Sequence, residues 1–271
     1  MRSSNIFVIL SLFLLLVSIE NIVRVYGEDP TYGFTSIPLT EANFVVQKPY
    51  NIPVEQRYSF IDGVHRFWVY AHDKPYSPGS PTQPRTEIRI KGLDYHSSVW
   101  QFEGYGYVPK GTSGATIAQI HGSGDGGATT LILRIYNRDM RYYDTDLVAE
   151  NLYDKWFRVN IIHDVDGGIV SVFSDGENKF QTKDHGPGDL YFKCGVYAAP
   201  AHISNYMESS LCAYWKKLKL CEDGYDRVEK SQKWSSSKSS LMEPKMEFIK
   251  IIVNGVCIVT VNIISIPKYL I

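Results

Sequence analysis

The sequence predicts an all-β fold, a β-sandwich of jelly-roll type, and three observations carry that prediction. Short stretches alternating apolar and polar residues recur from Asp29 to about Cys221. Clusters of Gly, Pro, Asp and Asn separate them. Apolar residues do not recur at the helical period of about 3.6. Only "DTDLVAENLYDKW" (Asp144–Trp156) reads as a helix candidate. Many strands and few helices form two packed sheets.

Taken in order, the expected strands begin with "RFWVYA" (Arg66–Ala71), "TEIRIKG" (Thr86–Gly92) and "SVWQFEGYGYV" (Ser98–Val108). "TIAQIHG" (Thr116–Gly122), "TTLILRIY" (Thr129–Tyr136) and "WFRVNIIHDV" (Trp156–Val165) follow. The series ends with "GIVSVFSDG" (Gly168–Gly176), "LYFKCGVYA" (Leu190–Ala198) and "AYWKKLKL" (Ala213–Leu220). Turn clusters such as "KPYSPGSPTQP", "GSGDGG", "DVDGG" and "KDHGPGD" lie between them.

The two ends differ from this middle. Residues 1–27 read as a secretory signal peptide: a basic start at Arg2, an apolar run from Ile6 to Val17, and a cut expected near Gly27–Glu28. That run is short for a membrane span of about 20 residues. Residues 28–222 form the β domain, and residues 223–271 a polar Ser/Lys-rich linker with an apolar tail, Ile251–Pro267. The tail is a weak membrane anchor, a lipid-anchor signal, or an extension without an evolved role. Asn254 and Asn262 weigh against the first reading, and the third is favoured. Membrane association is expected only if the tail anchors.

The formal net charge is −1, so no global field attracts nucleic acid or anionic lipid. The four cysteines Cys194, Cys212, Cys221 and Cys257 match no metal-site spacing, and no metal is expected.

Strand alternation sorts the polar residues onto faces. Gln119 and His121 share one face, with Ala118 and Ile120 opposite. Arg85, Glu87 and Arg89 share another, with Thr86, Ile88 and Ile90 opposite. Tyr191, Lys193, Gly195 and Tyr197 align, while Phe192, Cys194 and Val196 face the core. Cys194 is therefore a buried thiol, or half of a bridge to Cys212. Each of the three strands pairs an apolar face with groups that bind carboxylates. Residues two apart lie about 6.6 Å apart and residues four apart about 13 Å. Gln119 and His121 can converge on one carboxylate, whereas Lys193 and Tyr197 serve neighbouring groups of a longer ligand. Arg85–Glu87–Arg89 also reads as an ordinary ion-pair ladder.

Three blocks in this order, "RTEIR" (Arg85–Arg89), "QIH" (Gln119–His121) and "YFKCGVY" (Tyr191–Tyr197), resemble the signatures of alginate-lyase-type polysaccharide lyases of family seven. The resemblance covers roughly Phe34 to Leu220. "GFTSIPLTEANFVVQKPY", "HRFWVY" and "VWQFEGYGYVPKGTSG" bring the chain closer to the plant citrate-binding branch of that superfamily.

The resemblance implies a jelly roll with a concave ligand-binding sheet. It also implies no cofactor, and a secretory destination that is vacuolar or extracellular. In a lyase, Arg85, Gln119 and His121 would neutralise a sugar carboxylate. Tyr197, alone or with His121, would move the C5 proton, and Arg89 and Lys193 would bind flanking carboxylates. In a citrate-binding protein Arg85, Arg89, Gln119, His121 and Lys193 would hold the tricarboxylate. The partner is thus citrate or a uronate oligosaccharide. One position departs from the lyase pattern: Ala199 stands where those enzymes carry a glutamine, which points to altered ligand choice.

Overall fold

A computed structural model describes residues 29–123, 128–200, 205–206, 210–223, 246–253 and 256–263. The expected signal segment and most of the linker lie outside these residues. The chain divides into two compact units, Met1–Tyr225 and Asp226–Ile271.

The first unit contains, in chain order, β1 (Phe34–Ile37), β2 (Phe44–Gln47), β3 (Tyr58–Ile61), β4 (Val64–Tyr70), β5 (Arg85–Ile90) and β6 (Val99–Tyr107). Then come β7 (Thr112–Ser113), β8 (Ala115–Ser123), β9 (Thr129–Tyr136), β10 (Asp139–Tyr142), β11 (Asp146–Ala149) and β12 (Trp156–Asp164). The last are β13 (Ile169–Ser174), β14 (Glu177–Lys183), β15 (Gly188–Ala198), β16 (Asn205–Tyr206) and β17 (Ser210–Asp223). One sheet has eight strands, ordered β14-β13-β12-β6-β17-β4-β3 with β1 also on β17, and the other has seven, ordered β11-β10-β9-β8-β15-β5-β2. Their neighbours pair antiparallel. This is the predicted all-β sandwich. Sequence neighbours such as β4 and β5 lie in different sheets, so the chain crosses over repeatedly.

Turn chemistry fixes several registers. Asp62–Gly63, Asn137–Arg138 and Asp175–Gly176 each bridge a two-residue hairpin with both φ angles positive. Such turns match the right-handed twist of paired strands, and Asp, Asn and Gly tolerate them best.

The core lies between the sheets. Phe102 on β6 stacks on Phe192 of β15 at 5.8 Å and meets Trp215 of β17 edge-on at 5.6 Å. All three are essentially unexposed. Gly104 makes room for the indole, since a Cβ there would lie 2.9 Å from the Trp215 ring.

Two expectations need revision. The helix candidate Asp144–Trp156 is instead β11, a loop, and the start of β12. Asn151 and Asp154 both take φ of 59°, the left-handed region that ends any right-handed helix. Of the two readings of Cys194, the buried thiol holds: Cys194 is free and unexposed. It sits in the seven-stranded sheet, whereas Cys212 belongs to β17 in the other. Cys221 is likewise a buried free thiol.

In the second unit β18 (Met246–Val253) pairs antiparallel with β19 (Val256–Ile263). The apolar tail thus begins as a hairpin strand. No helix among the described residues is long and apolar enough to cross a membrane.

Candidate functional site

Three adjacent strands of the seven-stranded sheet bring the sequence-selected residues together. On β5 and β15, Arg85 stands opposite Tyr197, Glu87 opposite Gly195, and Arg89 opposite Lys193. On β15 and β8, Lys193 stands opposite Gln119, and Tyr191 opposite His121. Alternation turns Ile88, Ile90, Phe192 and Cys194 into the core. Their polar neighbours therefore share the other face.

At the centre lies Glu87, 2% exposed. Its carboxylate accepts from Arg85 Nη1 at 3.1 Å, from Gln119 Nε2 at 2.5 Å, and from the Lys193 ammonium. Lys193 and Gln119 are each 2% exposed, and the donors of both end on this carboxylate. A buried charge needs a partner, and Glu87 supplies it for Lys193. Burial lowers the pKa of Lys193, and the Glu87 carboxylate opposes that shift.

Gly195 allows this approach. Its φ is +146°, and a Cβ there would lie 2.5 Å from Glu87 Cα and 2.6 Å from the Thr86 carbonyl oxygen. The ladder between β15 and β8 slips by one residue between Cys194 and Tyr197. A bulge of this kind re-aims the side chains beyond it. Here it carries Tyr197 level with Thr116, which accepts from Arg134 Nε at 2.8 Å.

The two ends of the row are built alike. The Arg85 guanidinium lies 4.0 Å over the Tyr197 ring, and that of Arg89 lies 4.0 Å over the Tyr191 ring. Arg89 also donates to Asp94 at 2.5 Å. The Tyr191 hydroxyl shares a 3.0 Å hydrogen bond with His121 Nδ1. Burial pulls the His121 pKa down to about 4, and the Lys193 charge adds to that shift. The imidazole is therefore neutral at ordinary pH, with Nε2 as its second nitrogen. Nε of Arg85 is buried and makes no hydrogen bond.

Sequence reasoning selected Arg85, Arg89, Gln119, His121, Lys193 and Tyr197, and the structure gathers all six. It divides their duties differently. Lys193 and Gln119 hold Glu87, while Arg85, Tyr197, His121 and Arg89 flank it. Glu87 was legible only as a member of an ion-pair ladder. Gln47, opposite Glu87 on β2 and with a buried unpartnered Oε1, was missed because "FVVQ" was not read as a strand. Arg134 was missed too, although alternation in "TTLILRIY" places it opposite the core-facing Leu133 and Ile135. Among the described residues no cluster of three or more His, Cys, Asp or Glu could hold a metal.

Residues 37–221 match the family described as alginate lyase. The chain belongs to the alginate lyase family. It is also 55% identical over 207 residues to the citrate-binding protein of Hevea brasiliensis, a match covering 76% of this chain and 85% of that one. Among solved structures, alginate lyase A1-II′ superposes with a TM-score of 0.54 at 16% identity, covering 68% of this chain and 96% of the enzyme. Alginate lyase AlgAT5 of polysaccharide lyase family 7 gives 0.53 at 16% identity, covering 66% and 93%. A variant of A1-II′ in complex with product matches with a TM-score of 0.53 at 15% identity, covering 66% and 94%. At such identities these alginate lyases speak to the fold, which is the jelly-roll sandwich.

Proposed function

We propose that this member of the alginate lyase family binds citrate at the β5–β15–β8 face. The observation that carries this reading is the buried Nε of Arg85, a guanidinium donor without an acceptor. An unpartnered buried donor is costly, and a carboxylate oxygen would satisfy it with a charge-assisted bond. The name of the Hevea relative supports citrate as the source of that carboxylate. Arg85 would take one carboxylate and the Tyr197 hydroxyl would donate to it or to the citrate hydroxyl. Glu87 keeps the Arg85 fork in place. The N-terminal segment would send the protein into the secretory pathway, to the vacuole or the cell exterior.

A second reading, a lyase acting on a uronate polymer, draws on two other observations. Arg85 and Arg89 are four residues apart, about 13 Å along β5, and each is held on its own tyrosine. That spacing suits an extended ligand. His121 is also kept neutral, as a proton acceptor must be. In that reaction Arg85 binds the sugar carboxylate while Tyr197 takes the C5 proton. The electron pair forms the C4–C5 double bond, the C4–O bond breaks, and Tyr197 passes the proton it has taken to the leaving oxygen.

Calorimetric titration of the protein with citrate and with oligouronides tests both readings. Citrate binding abolished by Arg85→Ala is expected. An increase in ultraviolet absorbance during incubation with polyuronate, without citrate binding, would replace the first reading by the second.

A further inference from the structure

The eight-stranded sheet carries a second assembly of aromatic and cationic side chains, on its outward face. On β12 and β6, Phe157, Phe102 and their core neighbours point into the sandwich. The intervening residues Trp156, Tyr105 and Tyr107 therefore point out. Trp156 is 38% exposed, and its ring lies 5.5 Å from that of its register partner Tyr107. Lys216, paired with Tyr105 on β17, reaches across β6 and holds its ammonium 3.8 Å from the centre of the Trp156 ring. Lys217 places its ammonium 5.2 Å from the Tyr105 ring. One strand further, Arg66 of β4 lies 5.0 Å over Trp68.

The charge balance of this face differs from that of the molecule. Arg158 and Lys219 are neutralised by Asp29 and Glu103. Lys216 and Lys217 form no ion pair with any described residue, and aromatic rings are their partners instead. Such contacts orient a cation without cancelling its charge. Two ammonium groups without a counter-ion of their own thus stand beside flat, half-exposed rings, in a chain of net charge −1. Against them stands one carboxylate at the edge of the face, Asp154, which the Tyr107 hydroxyl meets at 3.4 Å.

We infer that this face is a docking surface for an acidic polysaccharide. Pyranose rings present apolar C–H faces that pack on indole and phenol rings, whose polar tips stay hydrated. Carboxylates on the same sugars would meet Lys216 and Lys217. From β12 to β4 the surface spans three inter-strand spacings, about 14 Å, room for several sugars of an extended chain. A lipid surface fits it less well: its rings lie among strands rather than at a loop tip, and cations stand between them. The site is on the opposite sheet from Glu87 and does not depend on the reading given to that cluster.

Native electrophoresis of the full chain through gels containing polygalacturonate tests the inference. Lys216→Gln/Lys217→Gln and Trp156→Ala variants should each weaken retardation, the first by about tenfold if two exposed ion pairs are lost. Lys179→Gln, which removes a surface cation of the edge strand β14 outside both assemblies, should leave retardation unchanged. The lysine pair also guards against a folding defect of the tryptophan variant, since both side chains lie on the surface. Retardation insensitive to all these changes, or equal in a neutral glucan gel, would overturn the inference. So would binding to phosphatidylserine vesicles without retardation by polygalacturonate.

Discussion

Replacing Glu87 by Gln keeps the shape of the hub and removes its charge. The Lys193 side chain is 1% exposed and has Glu87 as its counter-ion. Without that charge, a positive Lys193 would be buried alone, a situation that costs about 3–5 kcal/mol when one partner of a buried pair is removed. Neutralising Lys193 instead sets an upper limit. From the ordinary value of 10.5 down to pH 7 is 3.5 units, or about 4.8 kcal/mol at about 1.4 kcal/mol per unit. Domains have roughly 5–15 kcal/mol in all, so Glu87→Gln should lose a large share of stability. Lys193→Met should cost less, because Arg85 and Gln119 still serve the carboxylate. The double variant removes both buried charges and should recover most of the loss, giving a coupling of about 2 kcal/mol or more. Urea unfolding of the four proteins at pH 7 measures this. The lone lysine leaves a pH signature as well. In Glu87→Gln the buried Lys193 has lost the charge that opposes its lowering, so the folded state binds fewer protons than the unfolded state below the ordinary lysine value. Its stability should therefore rise with pH towards that of wild type, by at most about 1.4 kcal/mol per unit. Additivity of the two substitutions within about 0.5 kcal/mol would refute the role assigned to Glu87.

Gly195→Ala should destabilise the domain by more than about 3 kcal/mol, combining backbone strain with a clash against β5. An unchanged urea midpoint would show that the strands part freely. Tyr197→Phe keeps the ring beneath Arg85. It should weaken citrate affinity by about threefold to tenfold, the loss of one hydrogen bond, while abolishing any elimination seen by ultraviolet absorbance; calorimetry and that assay on one preparation separate the two. Burial lowers His65 and His121 to about 4 from an ordinary 6.5. Between pH 6.5 and 4 the unfolded chain therefore takes up protons that the folded chain refuses, and stability falls with pH. After allowance for solvent screening the two contribute roughly 2–4 kcal/mol. His121→Gln should lessen the drop between pH 7 and 4.5 in thermal unfolding, and an identical drop in the variant would contradict the shift.

The sandwich was legible because alternation is a local property. "RFWVYA", "TTLILRIY" and "GIVSVFSDG" each mark an inward face in sequence, and each is a strand. The strands that escaped notice are short, such as "FTSI" and "DMRY", or exposed, such as "ENKFQTK". They lack enough apolar residues to show a period. "DLVA" was submerged in a helix-like composition. What broke that reading was backbone sign at Asn151 and Asp154, which composition does not display.

The site was legible to the same depth and no further. Alternation placed Arg85, Glu87 and Arg89 on one face, but which cation Glu87 serves depends on register between strands far apart in sequence. The pairing of Gly195 with Glu87 and the bulge beyond it decide that Lys193 and Gln119 turn towards the carboxylate. This bears on the ligand. Arg85, Lys193 and Glu87 together carry one net positive charge, Arg134 beside Tyr197 adds a second, Arg89 is balanced by Asp94, and His121 is neutral. Two surplus charges more than match a single carboxylate, so a uronate at the Arg85 end would be neutralised where it sits. Citrate brings up to three negative charges, and one would remain unmatched unless it were protonated or met by His121 in its charged form. An acidic compartment supplies both conditions. The citrate reading therefore belongs with low pH, and the uronate reading does not require it.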